Sequence, residues 1–286
     1  MLYRLLVELS VMRSIKSLFI LVLVLLISLS VVQAQYFGRN KPVYEDFDFQ
    51  VEESEHFEFY HYLKDPDKVR ELARWTEVWH DMHQRILQDT FYEKNPMLYY
   101  SNHADFQQTN AISGNIPVGT GGVTEGLKNR VILPIAQTNQ QTFHVIGHEL
   151  VHAFQYNMVI NGPNTSIRNL ANLPLWMVEG LAEYLSIGRM DSHTAMWMRN
   201  AVINNDVPEL KKMSNPKYFP YRYGQAFWAF LTGVYGDKVI KPFFMGTAIA
   251  GLEIACDSIL GLPLDSLSGM WQRSIKEHYA PYLRRG

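Results

Sequence analysis

The sequence predicts an α+β fold: a small mixed β-sheet with one long apolar helix, then a mostly helical C-terminal lobe. Three observations carry this. Short aromatic-rich segments of period two fill the first part of the chain, as half-buried strands do. A long apolar run of helical spacing follows, from Phe143 to Ile160. Beyond Ser192 apolar residues recur at helical spacing between Gly and Pro breaks. The sheet and the long helix would form a lobe over residues 35–160, and the later helices one over 161–286.

Residues 1–34 read as an export signal. Arg4, Arg13 and Lys16 supply the positive region, Leu18 to Val32 the apolar run, and Val32-Gln33-Ala34 a small-residue cut site before Gln35. Met12 is an alternative start. The run is short for a spanning helix, which needs about 20 residues, although a retained anchor is the competing reading. Either way the domain is expected outside the cytoplasm, whether periplasmic, secreted or at the outer surface, with no transmembrane span in the mature chain.

What remains is about 250 residues, enough for one large domain or two small lobes. Net charge is −2 and no basic stripe appears, which argues against nucleic acid as a partner. Cys256 is the only cysteine, so no intrachain disulfide can form.

After a polar leader over 35–46, Phe47, Phe49 and Val51 alternate with polar residues, as do Phe57, Phe59 and His61. Both stretches read as strands. Pro66 opens a helix over Asp67 to Gln88, with Leu72, Trp75, Val78, Trp79, Met82 and Ile86 as its expected buried face. His80 and His83 would then lie on an exposed face, lacking the further ligand that a metal site needs. Met97 to Ser101 reads as the next strand. Gly114 to Gly126 is a turn-rich loop, without the glycine spacing or the G-K-[ST] of a phosphate cradle. Val131 to Ile135 reads as a strand that Pro134 demotes to an edge or confines to a strand end.

Thr138 or Asn139 can cap the long helix, which carries His148-Glu149-Leu150-Val151-His152. Residues four apart share a helix face, so two imidazoles can aim at one point. Zinc accepts such nitrogens at about 2.0–2.1 Å and in catalytic sites keeps a position for water. Glu149 can then act as general base on that water. Phe143, Ile146, Val151 and Phe154 would bury the helix, and His144 is in phase with His148 as a helix-face or supporting residue. A second helix follows Leu173-Pro174, with Met177, Leu181 and Leu185 as apolar contacts. It carries Glu179, the best candidate for a third ligand, and Glu183. The helical lobe then reads Thr194 to Ile203, Tyr223 to Tyr235, Val239 to Ala250 and Ser266 to Tyr279.

H-E-x-x-H followed by Glu179-Gly180-Leu181-Ala182-Glu183 resembles the thermolysin-like zinc peptidases, the gluzincins. The resemblance implies a zincin-like fold and one Zn²⁺ per chain, held by His148, His152 and Glu179. It also implies that Glu183 hydrogen-bonds a ligand histidine from outside. A narrower resemblance rests on residues 35–41, 100–110, 121–130 and 221–226. These stretches look like the peptidase-like domain of exported bacterial proteins, commonly followed by a TolB-like, WD40-type β-propeller. No propeller repeat follows here, so the chain is either a stand-alone form or the front of a longer protein. By the gluzincin resemblance, Val123 to Leu133 would line the cleft, the strand before the metal helix would be an edge strand that pairs with substrate, and Glu125 could meet a substrate amine.

The expected activity is hydrolysis of peptide bonds in a peptide or protein substrate, through a zinc-bound water and Glu149. The resemblance places a Tyr or His from the C-terminal lobe at the oxyanion, where Tyr221 and Tyr223 are the candidates and His193 an outsider. The alternative is a non-catalytic zinc-containing binding module with a cell-envelope partner, and a third reading is a zinc hydrolase acting on a non-peptide bond.

Overall fold

The structure, a computed structural model, describes residues 44–283. The export signal and most of the polar leader lie outside the described residues. The chain opens with strands β1 (Gln50–Glu53) and β2 (Phe57–His61) and helix α1 (Pro66–Leu87). Strand β3 (Asn95–Tyr100), a single turn α2 (His103–Phe106), and strands β4 (Val123–Glu125) and β5 (Arg130–Pro134) follow. Then come α3 (Asn139–Asn161) and α4 (Leu175–Ile187). The helical remainder holds α5 (Ser192–Ile203), α6 (Pro220–Tyr235), α7 (Ile240–Ala250), the short α8 (Leu252–Ala255) and α9 (Leu264–Leu283). This is a mixed α/β chain, mostly helical, with one five-stranded sheet of order β1-β2-β3-β5-β4.

Strands β2, β3 and β5 run parallel, while β1 and β4 pair antiparallel at the two edges. Met97 sits opposite Val131, and Val123 opposite Ile132. Side chains alternate across a strand, so each sheet face has its own core. Phe57, Phe59, Met97, Tyr99, Val131 and Leu133 meet Leu72 and Trp79 of α1 and Ile146, Leu150 and Ala153 of α3. On the other face Tyr100 and Ile132 meet Phe106 and Ile116, with Phe47 and Phe49 packed alongside. These last two phenylalanines precede β1 instead of lying in it.

Two expectations are corrected here. The strand before α3 is not an edge strand, because β5 lies between β3 and β4. Pro134 is its last residue, where a missing N–H costs no ladder bond. The edge is β4, formed inside the stretch that reads as loop. The buried face of α1 is also turned from the expected one. Val69, Leu72, Thr76, Trp79, His80, His83 and Leu87 face inward, whereas Val78 is 44% and Met82 41% exposed. Both histidines on this face are 0% exposed. His83 Nε2 lies 2.9 Å from Gly147 O, and His80 stacks on His56 at 3.9 Å.

Helix α3 runs between two cores. Ile146 and Leu150 face the sheet, while Val151, Phe154 and Met158 belong to a second cluster with α4, α6, α7 and α9. A helix apolar on more than one side is buried, and this one is enclosed from Ile146 to Gln155. Thr138 caps it, its hydroxyl accepting from Gln141 N.

Candidate metal centre

The site depends on a backbone crossing. Helices α4 and α6 touch at Gly180 and Gly224, where a Cβ on Gly180 would lie 2.2 Å from Gly224 C and one on Gly224 1.8 Å from Trp176 O. Only glycines allow this approach. It brings Glu179 and Glu183 on one helix, and Tyr221 and Arg222 on the other, against the buried polar stripe of α3.

On that stripe His148 Nε2, His152 Nε2 and Glu179 Oε2 form a triangle. Its edges are 3.2 Å between the nitrogens, and 3.3 and 3.2 Å from His148 and His152 to the carboxylate. A tetrahedral ion with bonds of about 2.0–2.1 Å sets its ligand atoms roughly 3.3 Å apart. The tautomers point the same way. Gln155 Nε2 donates to Val178 O at 2.9 Å, so its Oε1 is the atom facing His152 Nδ1, also at 2.9 Å. That acceptor calls for a proton on Nδ1 and leaves the Nε2 lone pair free. His148 Nδ1 lies 3.0 Å from Glu183 Oε1, within ion-pair range though off the hydrogen-bond line. A proton on His148 Nδ1, the side toward Glu183, would likewise free its Nε2, so that two lone pairs and a carboxylate oxygen face one another. Glu179 Oε2 is buried with no hydrogen bond of good geometry among the described residues. Three such acceptors need a shared cation or proton, and the His/His/Glu set fits a metal ion.

The charges agree. Without a cation in the triangle, burial opposes a charged His148, but Glu179 and Glu183 outweigh it and raise its pKa to about 10, so a proton holds the place that a metal ion would take. Burial likewise pushes Glu179 and Glu183 up, but the imidazoles beside them hold both well below the usual carboxylate range. Arg222 Nη1 donates to Glu183 Oε2 at 2.8 Å and lies 3.4 Å from Asp191 Oδ2. His144 Nε2 lies 3.4 Å from Glu183 Oε1, so His144 supports the site from behind.

Glu149 sits beside the triangle, 6% exposed. Thr124 of β4 places its hydroxyl 2.7 Å from Glu149 Oε2 and 3.0 Å from Glu149 O. No hydrogen bond engages Oε1 among the described residues; Gly122 passes so close that a Cβ there would lie 3.0 Å from it. His148, Glu149 and Glu183 line a cleft of about 740 Å³ whose walls also include Gly119 to Gly122, His144, His193, Tyr221 and Arg222.

Of the two tyrosines, Tyr221 reaches the cluster. Its ring stacks on His148 at 5.8 Å and 17°. Burial, then the carboxylates of Glu179 and Glu149, push its phenol up, so it stays a donor. Tyr223 does not reach the cluster: it is 5% exposed and packs on Tyr218 and Trp197 in the helical core. Glu125 is likewise not open to a substrate amine, because Arg130 and Lys128 pair with it. Gln155, Arg222 and Thr124 were not singled out by the sequence reading. Gln155 alone left a signal there, three residues after His152 on the same face.

No family model matches the chain, and no curated protein matches it. Among the described residues no helix is long and apolar enough to cross a membrane.

Proposed function

We propose that this chain is an exported zinc-dependent peptidase of zincin-like fold, taking one Zn²⁺ and hydrolysing peptide bonds. The observation that carries the proposal is the triangle of His148 Nε2, His152 Nε2 and Glu179 Oε2, with edges of 3.2–3.3 Å and the Glu149 carboxylate beside it. Two imidazoles and one carboxylate are a catalytic zinc set, leaving a position for water, whereas structural sites are closed by four protein ligands. Bound there, zinc would polarise a substrate carbonyl and lower the pKa of a water.

The protein's own groups supply the rest. Thr124 holds Glu149 through Oε2, leaving Oε1 to take the proton from the attacking water and pass it to the leaving amine. Gln155 and Glu183 fix the two imidazole rings, and Arg222 fixes Glu183. Tyr221 offers its hydroxyl proton to negative charge developing on the carbonyl oxygen. Strand β4 is a sheet edge, and Gly119 to Gly122 just before it line the cleft, so the backbone there suits an extended peptide. Residues 1–34 carry the export features, which favour a site of action outside the cytoplasm.

The test is cleavage of a mixed peptide library by residues 35–286, comparing zinc-loaded protein, chelated protein and Glu149→Gln. The proposal expects cuts that vanish in both controls. Zinc retained with no cuts in any arm would favour a zinc-containing binding module instead.

A further inference from the structure

A row of rings leads away from the metal cluster. Tyr221 stacks on His148, Phe219 lies 5.1 Å from Tyr221 at 31°, and Trp197 of α5 lies 5.8 Å from Phe219 at 32°. Phe219 and Tyr221 both line the cleft, with Val145 and Ile187 as further apolar side chains of its wall. Phe219 is 41% exposed. It is also a poor residue for its place in the chain. It is the N-cap of α6, where Ser, Thr, Asp or Asn would accept from the first free N–H groups, and its side chain caps nothing. Helix stability therefore does not account for an open aromatic ring at this position.

The ring is held in place. Pro220 follows at the first helical position and confines Phe219 to extended backbone, with φ −63° and ψ 113°. The Phe219 carbonyl accepts from Tyr223 N at 3.1 Å. Trp197 and Tyr221 then flank the side chain. The charges nearby are engaged with one another. Arg222 Nη1 donates to Glu183 Oε2 at 2.8 Å and lies 3.4 Å from Asp191 Oδ2, which also accepts from Thr194 N at 2.7 Å. We propose that Phe219 selects peptides carrying an aromatic or large apolar side chain beside the bond that lies over the metal cluster. The proposal rests on the peptidase reading for the peptide nature of the ligand. In the row only the Tyr221 ring stands between Phe219 and His148, so a side chain flanking that bond is the part of a peptide that meets Phe219. Aromatic pairs gain from ring contact beyond the area they bury.

The test uses two labelled hexapeptides, Ala-Ala-Phe-Phe-Ala-Ala and its all-alanine counterpart, in the presence of zinc. Cleavage is measured with the wild type, and binding by fluorescence anisotropy with Glu149→Gln, where turnover cannot intervene. Preference for the Phe peptide is expected in both. Phe219→Ala should lower kcat/KM, and affinity in the Glu149→Gln background, about 10-fold more for the Phe peptide than for the alanine one. Phe219→Ser supplies a helix cap and should act alike should the alanine variant fold poorly, while Phe219→Leu should keep part of the preference. Binding with this preference but no cleavage would count against the peptidase reading and support the role of Phe219. Equal handling of the two peptides, or a preference that Phe219→Ala leaves intact, would overturn the proposal. So would an equal fall for both peptides, which would make Phe219 only a support for Tyr221, or neither cleavage nor binding of the Phe peptide up to about 1 mM.

Discussion

Glu149 owes its position to two residues outside its own helix. Thr124 holds one carboxylate oxygen, and Gly122 leaves room for the other, since a Cβ there would lie 2.9 Å from Glu149 Cγ. Gly122→Ala should therefore displace the base without touching a ligand atom. A displacement of about 1 Å costs on the order of 10²-fold in rate. Peptide cleavage should fall about 10- to 100-fold while zinc content stays at the wild-type level, as cleavage assays and elemental analysis would reveal; unchanged cleavage would mean that Glu149 is not held as described. At this scale the sequence was most legible for residues whose spacing is itself chemical. His148, Glu149 and His152 lie within one helical turn, and the step from Glu179 to Glu183 is another. Gln155, Thr124 and Arg222 act across tertiary contacts to Val178, Glu149 and Glu183, which no local pattern encodes.

The crossing of α4 and α6 is the element on which the ligand set depends. Glu179 and Tyr221 can share a site only because Gly180 and Gly224 let two backbones touch. Gly224→Ala would drive a methyl into Trp176 O at 1.8 Å. A loss of about 3 kcal/mol or more is expected in urea unfolding. Gly233→Ala on the same helix meets only the Arg189 Nη1 end of a flexible side chain at 3.3 Å. It should be neutral, or stabilising by up to about 1 kcal/mol through helix propensity. Equal effects from the two substitutions would refute the crossing. Element existence was legible, since α1, α3, α4, α5, α6, α7 and α9 all follow helical periodicity. The phase of α1 was not. Choosing the most apolar stripe favoured Val78 and Met82, but packing chose one that includes Thr76, His80 and His83. A neutral imidazole carries enough apolar surface for His80 to stack on His56 and pack against Phe154, and periodicity cannot weigh that.

For the whole molecule, those buried imidazoles set an acid limit. Burial pushes both His80 and His83 down to about 4, against about 6.5 in an unfolded chain. Above pH 6.5 both states hold them neutral and nothing is lost. As pH falls from 6.5 toward 4, the unfolded chain takes up protons that the fold refuses, so stability drops. Metal-free protein should be clearly less stable to urea at pH 4.5 than at pH 7.5. His83→Gln, which can still donate to Gly147 O, should reduce that difference by about 2 kcal/mol; an unchanged difference would show that His83 does not titrate this way. The sheet order is the other whole-molecule feature. Pro134 signalled an edge or an end, and the end is what the fold uses, because β4 folds out of the glycine-rich stretch to cover β5. A three-residue strand beside glycines has too little pattern to be read before its partner is known.

The central claim is that His148, His152 and Glu179 hold one metal ion. The most direct measurement is zinc stoichiometry by elemental analysis of purified residues 35–286, set beside His152→Ala and Glu179→Ala, with circular dichroism to establish folding. The account predicts one zinc per chain in the wild type and its loss in both folded variants. A wild type that takes up no zinc, or folded variants that keep it in full, would contradict the account.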